Sequence, residues 1–316
     1  SRAAENLFWR GRYTERAENS VQLARLVLEC LGGEDQSSQP LLTWLGRMAL
    51  NNTLVLPGVP ALTPVVQARR VFERSLIASL GRTDQATSVG YNLRAVRLAG
   101  ATVRERLSQE HWSVMQKAEE LFFERCAAHM ASGDFSSMEA LAALKQASNH
   151  LAAITGAQTD RMTRDDGWRL SASLKAGVDA GSIFESGGFE AMLALFDSTI
   201  TFHAQYQQSR DVAALIDLLV LDRDNPRALG WVAQTLRGRL AKLAGCAPNE
   251  LCALSHSVPD PNSWRLEPLC DGGPAQRFNA LQELMLACGE AAYRVSEDIG
   301  ATYFTHSGDA GQSLGA

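Results

Sequence analysis

The sequence has no long apolar run and no clustered metal-binding residues. Its six cysteines include no Cys-x-x-Cys pair, and no histidines are grouped at the spacing of metal ligands. We therefore expect no metal site, and we expect the cysteines to be reduced thiols. No stretch reaches the roughly 18 apolar residues of a membrane span, and the nearest, Ala213 to Leu221, is interrupted by Asp217. These absences predict a cytoplasmic protein that does not bind or cross a membrane.

The sequence also lacks an excess of positive charge and any decisive catalytic motif. Its net charge is -5 and its pI is near 5.7, which argues against nucleic acid or an anionic membrane as the main partner. It contains no glycine-rich phosphate loop, nucleophile elbow or His-Glu-x-x-His helix. We therefore predict no cofactor, and the motifs indicate no known reaction.

Runs of alternating β-branched residues are absent, whereas almost every segment has helical periodicity. We predict an all-α protein, with residues 1–316 forming a single large helical bundle domain of roughly ten or more helices. Neighbouring helices should be mostly antiparallel because the connections are short. The best place for a subdivision is near Gly133. Because the chain opens on Ser1 rather than on methionine, we expect it to be either trimmed or cut out of a longer fusion protein.

Capping and breaker residues give approximate helix bounds. A capping box of Ser136 and Glu139 predicts a helix start, since each side chain can bond the main-chain N–H of the other. The helices that matter below are predicted at about Ala3 to Leu31, Ala86 to Leu107, Gln109 to Ala131, Ser136 to Asp160, Asp166 to Ile183 and Phe189 to Gln208.

The first predicted helix carries a polar group between apolar turns. At about 100° per residue, Arg12, Glu15, Arg16 and Asn19 fall within one arc roughly 100° wide. The other directions of this helix are covered by apolar residues, which predicts burial on most sides. The charged side chains of this group therefore need partners.

A second arginine group lies on the predicted helix from about Ala86 to Leu107. Arg94, Arg97 and Arg104 share one arc, with Arg97 and Arg104 two turns apart along the same edge. Arg164 and Arg227 lie near helix starts. If the helices bring these arginines to the first group, they form a guanidinium-rich pocket. Two parallel N–H donors match the two oxygens of a carboxylate or phosphate, so we predict binding of an anionic small molecule or a peptide carboxylate.

Three interpretations of these residues remain open. In the first, the protein is a non-catalytic binding module. In the second, it is an enzyme with Glu15 as general base and arginines that stabilise an anion, although two nearby guanidiniums should lower the pKa of Glu15 and weaken it as a base. In the third, the arginines only pair with carboxylates inside a structural scaffold. Glu119 and Glu120 are interpreted as an exposed face, and the three cations of the second arginine group exceed what nearby carboxylates obviously neutralise.

The same residues carry a family resemblance over nearly the whole chain. The chain resembles the bacterial alpha-E family at Asn6-Leu7-Phe8-Trp9, Gly11-Arg12-Tyr13 and Glu15-Arg16-Ala17-Glu18-Asn19. Further matches lie at Asn92-Leu93-Arg94-Ala95-Val96-Arg97, Arg104-Glu105-Arg106-Leu107-Ser108, Gly167-Trp168, Asp217-Leu218-Leu219, Asn225-Pro226-Arg227 and Tyr303-Phe304.

The resemblance implies a context rather than a reaction. Alpha-E proteins are encoded beside, or fused to, circularly permuted ATP-grasp ligases and transglutaminase-like peptidases. It therefore implies an accessory domain of a peptide amide-ligase system, with such a ligase and such a peptidase as partners. A second copy of the first motif is degenerate here, because Leu174-Lys175 and Val178-Asp179-Ala180 lack its glutamate and arginines. This favours the N-terminal copy as the site.

Overall fold

The computed structural model describes residues 2–32, 39–85, 87–133, 136–161, 212–225, 228–244, 250–270 and 279–303. Over these ranges the chain is helical and forms no strand, which confirms the all-α prediction. Short helical turns lie at Arg104–Arg106, Asp217–Leu221 and Pro261–Ser263. The α-helices are α1 Arg2–Gly32, α2 Gln39–Asn51, α3 Val66–Ser79, α4 Val89–Ala101, α5 Gln109–Ser132, α6 Ser137–Arg161, α7 Val212–Ile216, α8 Leu229–Ala244, α9 Glu250–Ser257, α10 Leu266–Cys270 and α11 Asn279–Tyr303.

The chain forms two compact units. The first comprises Ser1–Arg169 with Thr305–Ala316, and the second comprises Leu170–Phe304. Gly133 lies inside the first unit, between α5 and α6, which pack against each other. The predicted helices at Asp166 to Ile183 and Phe189 to Gln208, and the degenerate motif at Leu174 to Ala180, lie outside the described residues.

Helix α1 is the central helix of the first unit. It packs against α2, α3, α4 and α6, which is possible because small and apolar side chains cover most of its circumference. Its most deeply buried residues include Ala17, Val21, Ala24, Val27 and Leu28. The expectation of a first helix buried on most sides is thus met.

The predicted capping box at the start of α6 is confirmed. The Ser136 N–H lies 3.4 Å from Glu139 Oε2, and the Glu139 N–H lies 3.4 Å from Ser136 Oγ. Two main-chain N–H groups that no helical carbonyl can reach are thereby satisfied. Gly133, with φ of +71°, takes the left-handed conformation after α5, so the chain can turn back into α6.

The prediction of a continuous helix up to Leu107 is wrong. Helix α4 ends at Ala101, and a single turn at Arg104–Arg106 follows. The reason is a second helix start directly downstream, where Ser108 Oγ accepts the main-chain N–H of His111 at 3.1 Å. A serine in this capping position begins α5 and changes the direction of the chain.

Helices α4 and α8, one in each unit, begin in the same way at a glycine. A Cβ added to Gly90 would lie 3.0 Å from the Leu80 carbonyl oxygen and 2.7 Å from that of Arg82. A Cβ added to Gly230 would meet three carbonyl oxygens, those of Val220 and Leu221 at 2.9 Å and that of Asp222 at 3.0 Å. In both units, only glycine lets the helix start approach the preceding turn this closely.

The hydrogen bonds around these two glycines also correspond. The Ser88 N–H donates to the Gln85 carbonyl at 3.2 Å, and the Ala228 N–H donates to the Asn225 carbonyl at 2.9 Å. One turn later, the Asn92 N–H donates to the Ser88 carbonyl at 3.0 Å, and the Val232 N–H donates to the Ala228 carbonyl at 3.1 Å. Residues 80–97 and 220–237 therefore align without a gap, and the two units contain a repeated helix start.

The second unit has its own apolar core. Ile216 of α7 and two residues of the repeated helix start, Val220 and Leu229, pack with residues of the last two helices. The buried members of this cluster are Ile216, Val220, Leu229, Leu269, Leu281 and Cys288. The repeated helix start is thus anchored by burial as well as by hydrogen bonds.

Candidate functional site

Two arginines of α4 share one carboxylate of α5. Arg94 Nε donates to Glu119 Oε1 at 3.2 Å, and Arg97 Nε donates to Glu119 Oε2. The Glu119 side chain is only 8% exposed, whereas the side chains of Arg94 and Arg97 are 45% and 30% exposed. A buried carboxylate therefore holds two partly exposed guanidinium groups next to each other.

This arrangement leaves most of the donors of the two arginines available. A guanidinium has five N–H donors, and each ion pair with Glu119 uses only Nε. The Nη groups of Arg94 and Arg97 have no hydrogen bond to any residue that the structure describes. One carboxylate neutralises one of two cations, so an excess positive charge remains. The Phe123 ring, 5.1 Å from Arg94 Cζ, forms an apolar wall beside it.

The interpretation of Glu119 as part of an exposed face is wrong. Glu120 is exposed, but Glu119 is buried between α4 and α5. The sequence contained a signal for this, because Glu119 follows the buried stripe of α5 at helical spacing. The other buried members of that stripe are His111, Met115, Ala118, Phe122 and Cys126.

Arg104 binds to residues of the turn between α4 and α5. Its Nη1 donates to the Leu107 carbonyl at 3.1 Å, its Nη2 donates to the Gln109 side chain, and its Cζ lies 5.6 Å from the Trp112 ring. The prediction that Arg104 stacks with Arg97 along one helix edge is wrong, because α4 ends before Arg104 is reached.

The polar group of α1 contains stacked cations and rings. Arg12 Cζ lies 5.6 Å from the Trp9 ring, and Arg16 Cζ lies 6.0 Å from the Tyr13 ring. Arg16 Nε is buried and has no hydrogen-bond partner among the described residues. Of the other predicted members, Glu15 is half-buried and Asn19 is exposed.

Tyr13 links this group to α4. Burial raises the pKa of Tyr13, and nearby Tyr91 of α4 raises it further, whereas the guanidiniums of Arg16 and Arg12 lower it. Helix α4, which carries Tyr91, packs against α1.

Different residues of α4 contact α1 and α5. The fully buried Asn92 donates through Nδ2 to Ser20 Oγ of α1 at 2.8 Å and to the Thr87 carbonyl at 3.0 Å. Arg94 and Arg97 contact α5 instead. The structure therefore places Arg94 and Arg97 at the contact of α4 with α5, whereas Asn92 lies at the contact of α4 with α1. Arg164 and Arg227 lie outside the described residues.

The sequence interpretation missed a buried pair of α1 and α5. Arg10 is 0% exposed, and its Nη2 lies 2.9 Å from Nε2 of His111, which is 2% exposed. Since arginine can only donate, His111 Nε2 must accept, and the imidazole is neutral. The available signal was an arginine inside an apolar helix, at a position where a charge requires a specific partner.

The described ranges contain neither a metal-binding cluster nor a membrane-spanning helix. They contain no group of three or more His, Cys, Asp or Glu side chains arranged to hold a metal ion. Within the same ranges, no helix combines the length and the apolar character needed to cross a membrane.

Fold and site together define an all-helical domain with an arginine and glutamate centre. A model of the Alpha-E family, described as a predicted alpha-helical domain with a conserved ER motif, matches residues 1–177 and residues 170–304. The chain therefore belongs to the Alpha-E family, as its resemblance implied. Of the four Glu-Arg dipeptides in the sequence, Glu15-Arg16 in α1 is the one in which neither residue is exposed.

The chain is also similar to longer mycobacterial proteins. It is 26% identical over 271 residues to uncharacterized proteins of Mycobacterium bovis and of Mycobacterium tuberculosis strains CDC 1551 and H37Rv. The match covers 77% of this chain and 30% of each relative, so the chain spans about a third of their length. No solved structure matches it.

Proposed function

We propose that the chain is a non-catalytic binding module that holds a carboxylate or a similar oxyanion on the Nη groups of Arg94 and Arg97. The single observation that carries this proposal is the use of Nε alone in both ion pairs with Glu119. Glu119 then acts as a positioning residue, since it fixes two guanidiniums without occupying their outer donors. Arg12 and Arg16 remain a predicted second contact, and the buried Nε of Arg16 supports it.

The chemistry of the pair favours an anion over a neutral ligand. Nη groups on neighbouring guanidiniums match the oxygens of a carboxylate, and hydrogen bonds between charged groups are about twice as strong as neutral ones. Partial burial reduces screening by solvent. The ring of Phe123 beside Arg94 suits a ligand whose charged end adjoins an apolar part.

The wider context of this binding is also a proposal. The family resemblance supports an accessory role in a cytoplasmic peptide amide-ligase system, in which the domain docks a circularly permuted ATP-grasp ligase and works beside a transglutaminase-like peptidase. The greater length of the mycobacterial relatives is consistent with a domain that works next to further polypeptide. The isolated chain should then bind its ligand without converting it.

Calorimetric titration with N-acetyl-alanyl-alanine, and separately with its C-terminal amide, tests the proposal. We expect the free acid to bind and the amide to bind at least about tenfold more weakly, which corresponds to about 1.4 kcal/mol. Arg97→Gln should cause a similar loss, whereas Glu120→Gln, which changes an exposed neighbour of Glu119, should cause none. Equal binding of acid and amide, or full binding by Arg97→Gln, would contradict the proposal.

A further inference from the structure

Arg97 and Arg237 occupy the same position in the repeated helix start, at the ends of residues 80–97 and 220–237. Arg237 uses its Nη groups within its own unit. Its Nη1 lies 2.5 Å from the Val258 carbonyl oxygen and 3.3 Å from that of Ser255, and its Nη2 lies 3.8 Å from Asp260 Oδ2. The same arginine position therefore binds a stretch of peptide in the second unit.

The lengths of the following helices explain why the two arginines differ. Helix α9 has 8 residues and ends at Ser257, and the last carbonyls of a helix have no partner within it. Arg237 supplies donors to carbonyls at this end. Helix α5 has 24 residues, so its carbonyls opposite Arg97 are used by its own backbone. The Nη groups of Arg97 therefore have no equivalent partner.

Both units also place a carboxylate next to this arginine. It is Glu119 in the first unit and Asp260 in the second. The second unit differs because Gln234 stands at the position of Arg94, so it has no second guanidinium to anchor. Within the described residues, the pair of guanidiniums with available Nη groups thus belongs to the first unit.

We infer that the ligand of Arg97 is a peptide segment that offers a main-chain carbonyl followed closely by a carboxylate, as residues 255–261 do for Arg237. This inference rests on the proposed function and specifies the chemical class of its ligand. The second unit supplies the equivalent peptide from its own chain, so each chain binds one external peptide, at the first unit. A carboxylate without a peptide carbonyl satisfies only part of the available donors.

The probe is the synthetic peptide with the sequence of residues 255–261, acetylated and amidated, so that its aspartate is the only carboxylate. Fluorescence anisotropy of a labelled version should show saturable binding with one peptide per chain. Replacing the aspartate of the peptide by asparagine should weaken binding at least about tenfold, and Arg97→Gln in the protein should do the same. Arg294→Gln, which changes a 75% exposed arginine of α11, is the charge-matched control.

The outcomes separate the inference from the proposed function. If acetate or phosphate binds through Arg97 but neither the peptide nor N-acetyl-alanyl-alanine does, the inference is overturned and the anion site stands. If neither the peptide nor any of these anions binds, the proposed function fails. Circular dichroism of Arg97→Gln, together with a second variant, Arg94→Gln, shows whether lost binding reflects lost folding.

Discussion

Arg97 donates to Glu119 through Nε, so this ion pair leaves the outer edge of the guanidinium unoccupied. Arg94 is held in the same way by the other oxygen of the same carboxylate. An ion pair that used Nη would have hidden the donors that suit an external anion. The orientation of the pair, rather than its presence, separates a binding role from a purely structural one.

Glu119→Gln should weaken both stability and anion binding. The amide cannot accept strong charge-assisted hydrogen bonds from two guanidiniums at once, and the two cations would repel each other. We expect a loss of about 1 to 3 kcal/mol in the free energy of unfolding, the range for hydrogen bonds to charged groups, measured by urea unfolding. Glu120→Gln should leave both stability and binding unchanged. Tighter anion binding by Glu119→Gln would show that Glu119 competes with the ligand.

Gly90→Ala should destabilise the first unit. The new Cβ would lie 2.7 Å from the Arg82 carbonyl oxygen, and backbone cannot move aside as the tip of a side chain can. Overpacking of this kind costs about 1 to 3 kcal/mol. Gly156→Ala in α6 is the control, since nothing lies within 4 Å of its Cβ and alanine favours a helix by about 1 kcal/mol. We expect Gly90→Ala to lower the urea midpoint and Gly156→Ala to raise it. A Gly90→Ala variant as stable as the unmodified chain would contradict the close approach.

His111→Phe should remove the acceptor of a buried arginine donor. Arg10 would lose its bond to Nε2 in a fully buried position, which costs about 1 to 3 kcal/mol or more for a charged group. His111→Gln can still present an oxygen to Arg10 and should lose less. Thermal or urea unfolding of the two variants gives the comparison. Equal stability of His111→Phe and the unmodified chain would show that the pair contributes nothing.

The turn between α3 and α4 should make stability depend on acidic pH. Arg82 donates to both carboxylate oxygens of Asp84, at 2.9 and 2.5 Å, and its side-chain hydrogen bonds lower the pKa of Asp84 to about 2. Because the pKa is lower in the folded state, the ion pair makes its full contribution to the free energy of unfolding above the unfolded pKa of about 3.9. That contribution disappears as the pH falls towards 2.

The measurement is the urea midpoint between pH 5 and pH 2 for the unmodified chain and for Asp84→Asn. The unmodified chain should lose more stability over this range than the variant does, since the variant cannot form the ion pair at any pH. Identical slopes would show that the ion pair does not affect folding.

Periodicity and capping residues were sufficient to predict most of the α-helices in the described ranges but not all their ends. The capping box of Ser136 and Glu139 was readable because both partners lie within one turn. The end of α4 was missed because Arg104, Glu105 and Arg106 are acceptable helix residues, and the decisive signal was the Ser108 cap of the next helix. The local sequence favoured a longer α4, but the capped start of α5 ended it.

The sequence singled out two arginines of α4 but not the carboxylate that binds them. Arg94 and Arg97 were singled out from spacing alone, but their partner Glu119 depends on which side of α4 faces α5. That rotation is set by the burial of Asn92 against α1, a contact between residues distant in sequence. Such contacts arise from helix packing, which the periodicity of one helix does not specify.

The most direct test is NMR of the chain labelled with 15N in its arginine side chains, before and after addition of N-acetyl-alanyl-alanine. In the free chain, Arg94 and Arg97 should show Nε–H groups protected by Glu119 and Nη groups that rotate freely. On addition of the ligand, the Nη signals of these two arginines should shift and their rotation should slow, with little change at Nε. Binding of the ligand with unchanged Nη signals of Arg94 and Arg97 would contradict the account.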